Sequence, residues 1–214
     1  MTDARLNERL IEDVVILHNA QASRTGAQVI APDHQPRKPV GPQSLPMRSA
    51  AANQHGSAAL QHRVEQFLYH QAELLDGKHW QAYVDLFAAD GLYWMPATPD
   101  QTEWLDSPSI FAEDVSMMQI RTARVTHPNA WSQAPMWGTS HLVGNAVIES
   151  VSETGLVVRS RFQMMELRRD SVRHFAGTYR HSLRVQGDDF RITLQRVDLV
   201  NGQAPFDYVL QVWV

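Results

Sequence analysis

The chain has 214 residues, a net charge of −4 and 43% hydrophobic residues, enough for one well-buried domain with additional pieces. Its acidic balance argues against a general binder of nucleic acid or of anionic membranes, and no apolar run approaches the roughly 18–20 residues of a membrane span. Cysteine is absent, so this chain cannot build a thiol nucleophile, a disulfide, a cysteine-ligated zinc site or an iron–sulfur cluster.

Residues 1–59 read as an N-terminal extension. Its first residues lack a basic region followed by an apolar core, so they are not a standard secretory signal, and the expected location is the cytoplasm. Leu6, Leu10, Val14 and Leu17 are spaced for a short amphipathic helix. Residues 20–57 are rich in Pro, Gln, Ser and Ala, with Pro32, Pro36, Pro39, Pro42 and Pro46. Such a segment buries little and reads as a mobile or surface-draped arm.

Residues 60–214 read as the folded domain. Leu60, Val64, Phe67, Leu68 and Leu75 recur at helical spacing. Asp76-Gly77 supplies the break, Gly being the residue that takes the left-handed conformation at helix ends. Trp80, Tyr83, Val84 and Phe87 form the face of a second helix. Asp90-Gly91 then turns the chain into a strand, Leu92-Tyr93-Trp94-Met95, which Pro96 ends. Ser107-Pro108-Ser109 is a helix-start signal. Phe111, Val115, Met118, Thr122 and Val125 continue from it along one face. Glu113 and Asp114 early and Arg121 and Arg124 late suit the helix dipole, and His127-Pro128 ends the segment.

From Met136 onward the pattern is strands. Residues 139–150 and 155–169 read as one long hairpin, and 175–185 with 190–199 as a second around Gln186-Gly187-Asp188-Asp189. A last strand is expected over residues 208–214. Val158, Ser160, Phe162 and Met164 alternate with Val157, Arg159, Arg161, Gln163 and Met165, the mark of an antiparallel sheet with one apolar face. Helices followed by a meandering sheet make an α+β domain.

Familiar catalytic signatures are missing: no Gly-rich phosphate loop, no GxSxG and no HExxH. His62 and His70 share a helix face without a third ligand, so no metal site is read there. Asp114 with His127 or His141 is the one acid–base set that could line the mouth of a cone-shaped sheet and work as a free-standing isomerase or dehydratase. A plain small-ligand binding module is a further alternative. For Asp114 the structural reading is helix-terminal charge complementarity, and for His141 an interface strand residue. Trp80 and Trp94 are read as core, and Trp131, in a loop between Pro128 and Pro135, as core or interface anchor. Lys38 and Lys78 are the only lysines, whereas eleven arginines lie between residues 121 and 196. Arg suits bidentate, partly buried pairing, which makes the second half a candidate polar interface.

Several segments together resemble the small (beta) subunit of aromatic-ring-hydroxylating dioxygenases. They are Ala72-Glu73-Leu74-Leu75-Asp76, Asp90-Gly91-Leu92-Tyr93-Trp94-Met95-Pro96, and Glu113-Asp114 with Arg121 and Arg124-Val125. Next come Trp131-Ser132-Gln133 with Pro135, and Thr139-Ser140-His141-Leu142-Val143-Gly144-Asn145-Ala146. Last is Phe175-Ala176-Gly177-Thr178-Tyr179-Arg180 with Leu183-Arg184. The resemblance runs from about residue 60 to the end, with two departures: the long extension, and Ser140 where an Arg often precedes the His.

The resemblance implies the cone-like fold of the nuclear transport factor 2 and ketosteroid isomerase group, a curved antiparallel sheet around N-terminal helices. It implies a non-catalytic subunit, in a trimeric ring of copies, packed on a large (alpha) subunit. That large subunit would carry the Rieske [2Fe–2S] cluster and the mononuclear Fe(II), with no cofactor or metal in this chain. The complex would draw electrons from NADH, and the nearest subgroup acts on benzoate, toluate, anthranilate or salicylate. Arg121, Arg124, Trp131, His141, Arg180 and Arg184 are the expected subunit-interface residues; neither nucleic acid nor membrane is an expected partner.

Overall fold

The computed structural model describes residues 57–105, 107–131, 136–205, 210–211 and 213–214, all within one compact unit, Arg48–Val214. The helix and Pro-rich arm expected in the extension lie outside the described residues, as do Ser132, Gln133 and Pro135 and part of the expected last strand. Of that strand, Leu210, Gln211, Trp213 and Val214 are described, and none of them is in a strand.

Helix α1 spans Ala58–Asp76, and its N-cap is Ser57, whose hydroxyl accepts from the Leu60 N–H at 3.2 Å. Its buried stripe is Val64, Leu68, Gln71, Leu74 and Leu75, the helical repeat that the sequence shows. The left-handed residue after it is Lys78, φ 59°, not Gly77, which stays right-handed at φ −75°. Gly77 is needed for space instead: a Cβ there would lie 2.7 Å from the His79 ring. Helix α2, Trp80–Val84, follows.

Strand β1 runs over Phe87–Pro96. Asp90-Gly91 is a bulge inside this strand rather than a turn before it. Pairing passes from Phe87↔Ile192 directly to Leu92↔Leu194, so the extra β1 residues arch outward. At Gly91 a Cβ would meet the Ile192 carbonyl at 2.7 Å.

The region after Ser107 departs from the sequence reading. Ser109–Asp114 is strand β2, paired antiparallel with β1, and helix α3 begins only at Val115 and runs to Val125. Asp114 is its N-cap, Oδ1 accepting from the Met117 N–H at 2.8 Å. Two capping signals compete within seven residues, and β1 decides between them. Its outer edge needs a ladder partner, and a strand at Ile110-Phe111-Ala112 supplies one. Pro108 precedes an edge strand, where a missing N–H is tolerated. Phe111 therefore belongs to β2, while Met118 and Val125 carry the buried face of α3.

The remaining strands are β3 (Gly138–Val151), β4 (Gly155–Arg168), β5 (Ser171–Gln186) and β6 (Asp189–Leu199). Both expected hairpins form, and β4 and β5 form a third around Arg169-Asp170, with Arg169 at φ 54°. The six strands lie in the order β2-β1-β6-β5-β4-β3. β1 against β6 is parallel and the other pairings are antiparallel, so the sheet is mixed rather than purely antiparallel. Along β4, Leu156, Val158, Ser160, Phe162, Met164 and Glu166 are buried and the residues between them are not. This inner face joins α1, α2 and α3 in one apolar core.

Gly177 on β5 is closely flanked by its two neighbouring strands, β4 and β6. A Cβ there would sit 2.1 Å from the Asp198 carbonyl oxygen and 2.9 Å from the Phe162 ring. The open position lets Phe162 lean over the strand and stack on Tyr179, centroids 4.1 Å apart and planes 9° from parallel. Gly177→Ala is expected to cost about 1–3 kcal/mol through overpacking, seen as a lower denaturation midpoint. An unchanged midpoint would refute the close approach.

Candidate functional site

The acid–base residues singled out in the sequence do not meet. Asp114 caps the first turn of α3 and His127 follows its last turn, where the ring Nδ1 accepts from the Asn129 N–H at 3.1 Å. An eleven-residue helix, about 16 Å long, stands between them, and both are exposed. His141 instead meets Asp76, at the end of α1. Its Nδ1 lies 2.6 Å from Asp76 Oδ1, its backbone N–H donates to Oδ2 at 2.8 Å, and the Thr139 hydroxyl donates to Oδ1 at 2.9 Å. Burial raises the Asp76 pKa, but the hydrogen bonds from His141 outweigh it and the net shift is downward. Asp76 thus ties α1 to β3. The space bounded by Leu68, Gln71, Leu75, His141, Val143 and Tyr179 has no room for a water molecule.

Deeper in, Gln71 Nε2 and the Tyr83 hydroxyl both donate to Gln195 Oε1, at 2.7 and 3.0 Å. His181 faces Gln195 across the β5–β6 ladder and is fully buried. Burial pulls its pKa down to about 3, against the weaker opposing effect of Gln195. The ring is neutral at pH 7.

A second cluster gathers at α3. Glu113, read in the sequence as a helix-start charge, lies on β2 facing inward. Arg121 grips it through Nε, 2.8 and 3.0 Å from the two carboxylate oxygens, and through a further short contact from Nη2. The guanidinium also lies 4.4 Å from the centre of the Phe111 ring. Glu113 Oε2 accepts the Trp213 indole N–H at 3.0 Å, and the Tyr93 hydroxyl exchanges hydrogen bonds with the Val214 backbone at 3.1 and 3.2 Å.

These placements sort the expected interface residues. Arg121 pairs with Glu113 within the chain, and the His141 side chain, paired with Asp76, is 1% exposed. Each finds a partner at a sequence distance that no local spacing displays. Arg180 shares Glu149 with Arg159, and Arg184 forks onto Asp90 at 2.8 and 3.0 Å; both remain about half exposed. Arg124 and Trp131 lie fully on the surface. With His127, Asn129 and Ala130 they line a groove of about 610 Å³, and Trp131 is 83% exposed.

The outer face of the sheet carries apolar side chains that the sequence alternation did not mark as a patch. Leu142 is 70% exposed and Val200 79%. Both border a groove of about 410 Å³ that includes Arg161 and Gln163. Among the described residues no helix is long and apolar enough to cross a membrane, and no group of three His, Asp or Glu side chains is placed to hold a metal ion.

Comparison with known proteins places this architecture. The sequence model of the family described as "Ring hydroxylating beta subunit" matches residues 70–204. The beta subunit of toluate 1,2-dioxygenase from Pseudomonas putida is 30% identical over 154 residues, covering 70% of this chain and 92% of that one. The solved beta subunit of benzoate 1,2-dioxygenase from Burkholderia mallei superposes with a TM-score of 0.56 at 27% identity, over 69% of this chain and 95% of that one. A scytalone dehydratase-like protein from Novosphingobium aromaticivorans shares the fold alone, at TM-score 0.51 and 17% identity over 71% of this chain and 89% of that one. With the cone-like α+β fold and a match across most of the folded domain, the chain belongs to the family of ring-hydroxylating dioxygenase beta subunits.

Proposed function

We propose that this chain is the structural small subunit of an aromatic-ring-hydroxylating dioxygenase that acts on an aromatic carboxylate in the cytoplasm, and that it works by assembly rather than by catalysis. Its partners are the large subunit and further copies of itself in a trimeric ring. The large subunit carries the Rieske [2Fe–2S] cluster and the mononuclear Fe(II), and electrons arrive from NADH. This chain does not fit as the holder of the Rieske cluster, because it has no cysteine to ligate one.

The carrying observation is large apolar surface left outside a well-filled core: Trp131 at 83%, Val200 at 79%, Leu142 at 70% and Ile120 at 62% exposure. Exposed apolar patches of this kind mark protein contacts, and Trp and Arg are both enriched at binding hot spots. Arg124 and Trp131 lie together on one groove, with Arg180 and Arg184, on the exposed face of β5, fixing register.

Co-expression of the tagged chain with its large subunit tests this reading. A brown hetero-oligomer with Rieske-type absorbance, against a colourless and inactive lone chain, is expected. Trp131→Ala is expected to weaken assembly by at least about thirtyfold, a hot-spot loss of about 2 kcal/mol, while the thermal midpoint of the isolated chain stays unchanged. Arg124→Ala follows in the same direction with a smaller loss. Intact assembly in both variants would remove this surface from the interface. Turnover of a small carbonyl compound by the lone chain would overturn the subunit reading itself.

A further inference from the structure

One enclosure in the domain is filled by the chain itself. The Trp213 indole is 2% exposed. Its ring centre lies 5.1 Å from that of Tyr83, tilted by 41°, and 6.2 Å from that of Trp80, tilted by 60°. The Arg121 guanidinium is 5.9 Å from the indole centre, and the indole N–H ends on Glu113 Oε2 at 3.0 Å. Two aromatic walls, a cation and one directed acceptor surround a single planar heterocycle.

Glu113, Arg121 and Tyr83 each have contacts besides those with Trp213. Glu113 and Arg121 hold each other through the contacts described above, and Arg121 also packs on Phe111. Tyr83 is fixed by its bond to Gln195 and by an edge contact with Phe87 at 5.5 Å. Trp80 opens α2 and is 8% exposed. The body of the domain therefore preforms a pocket, and Trp213 enters it as a ligand would.

We propose that Trp80, Tyr83, Glu113 and Arg121 form a binding site for a neutral planar aromatic N–H compound of the indole class, occupied in cis by Trp213. The charge balance sets the ligand class. Glu113 and Arg121 already neutralise each other, so an aromatic carboxylate would add an uncompensated buried charge and be rejected. A neutral ring keeps the balance, and an N–H aimed at Glu113 satisfies the carboxylate oxygen that Trp213 now uses. The site is thus chemically separate from the aromatic carboxylate chemistry proposed for the complex, and it stands or falls independently of that proposal.

The test uses the full chain carrying Trp213→Ala. Its thermal midpoint should fall below that of the wild type and rise again, saturably, on adding indole. Indene has the same shape with CH2 in place of N–H and should bind at least about tenfold more weakly, the value of one hydrogen bond to a charged group. Benzoate should not bind, and the wild type should bind none of the three. A folded Trp213→Ala chain that ignores saturating indole, or that takes indole and indene equally well, overturns the proposal. If that variant fails to fold, ¹⁵N-labelled wild-type chain decides. The Trp213 indole N–H, identified by its loss in Trp213→Phe, must exchange slowly with solvent and shift on Glu113→Gln; rapid exchange, or no shift, overturns the proposal equally.

Discussion

Arg121→Met is expected to destabilise the isolated chain by about 3 kcal/mol, the low end for breaking a buried ion pair by removing one partner. The low end applies because the Arg121 side chain is still 21% exposed. Three consequences combine in this one substitution. Glu113, 7% exposed at its side chain, keeps a charge without its counter-ion. Phe111 loses the guanidinium that covers it. Gln211 loses the hydrogen bond that its carbonyl accepts from Arg121 Nη1 at 3.4 Å. Glu113→Gln in the same chain should recover part of the loss, because removing both charges leaves neither uncompensated. Urea denaturation of the two single variants and the double variant measures the coupling. Additive losses would mean that the pair is not a unit.

The second large effect is on pH. His181 is neutral in the folded chain, with its pKa pulled by burial to about 3 from an ordinary value near 6.5. Its folded value is therefore depressed below its unfolded value. Between these two pH values the unfolded chain binds a proton that the folded chain refuses, so stability rises with pH across this window. The contribution is complete above pH 6.5 and is lost as pH falls toward 3, at up to about 1.4 kcal/mol per pH unit for one proton. His181→Gln removes the titrating group and keeps a polar side chain beside Gln195. The slope of stability against pH from 6 to 4 should flatten by about that amount. An unaltered slope would show that His181 takes up its proton without unfolding the chain. Asp76 acts lower down. Its depressed pKa holds stability above pH 4, and that part is lost as pH falls further.

Arg121, His141, Trp213 and Trp131 illustrate what could be read from the chain and what could not. Arg121 stands near the end of an amphipathic run, where a helix-dipole role is a sufficient local explanation, and nothing nearby shows that Glu113, eight residues back, has left the helix for a strand. His141 was legible as a special histidine, but its partner Asp76 is 65 residues away. Trp213 falls in the expected last strand, and the carboxylate it meets is 100 residues earlier. Trp131 is the contrasting case. It was read as core or interface because its loop had no apolar periodicity, and the structure places it outside.

The sequence by itself determined the α+β class, the order of helices before strands, the two long hairpins, the inner face of β4 and, through its scattered motifs, the family. These follow from local periodicity: a repeat of 3.6 or of 2 places apolar side chains on one face whatever lies opposite. The tertiary structure alone decided that Ser109–Asp114 extends and Val115 begins the helix, that β1 runs parallel to β6, and that Arg121 and His141 turn inward while Trp131 stays out. Most of those outcomes depend on a partner that local periodicity does not show. A strand edge must find a ladder, and a buried charge must find its counter-ion, and only the folded register brings the two together.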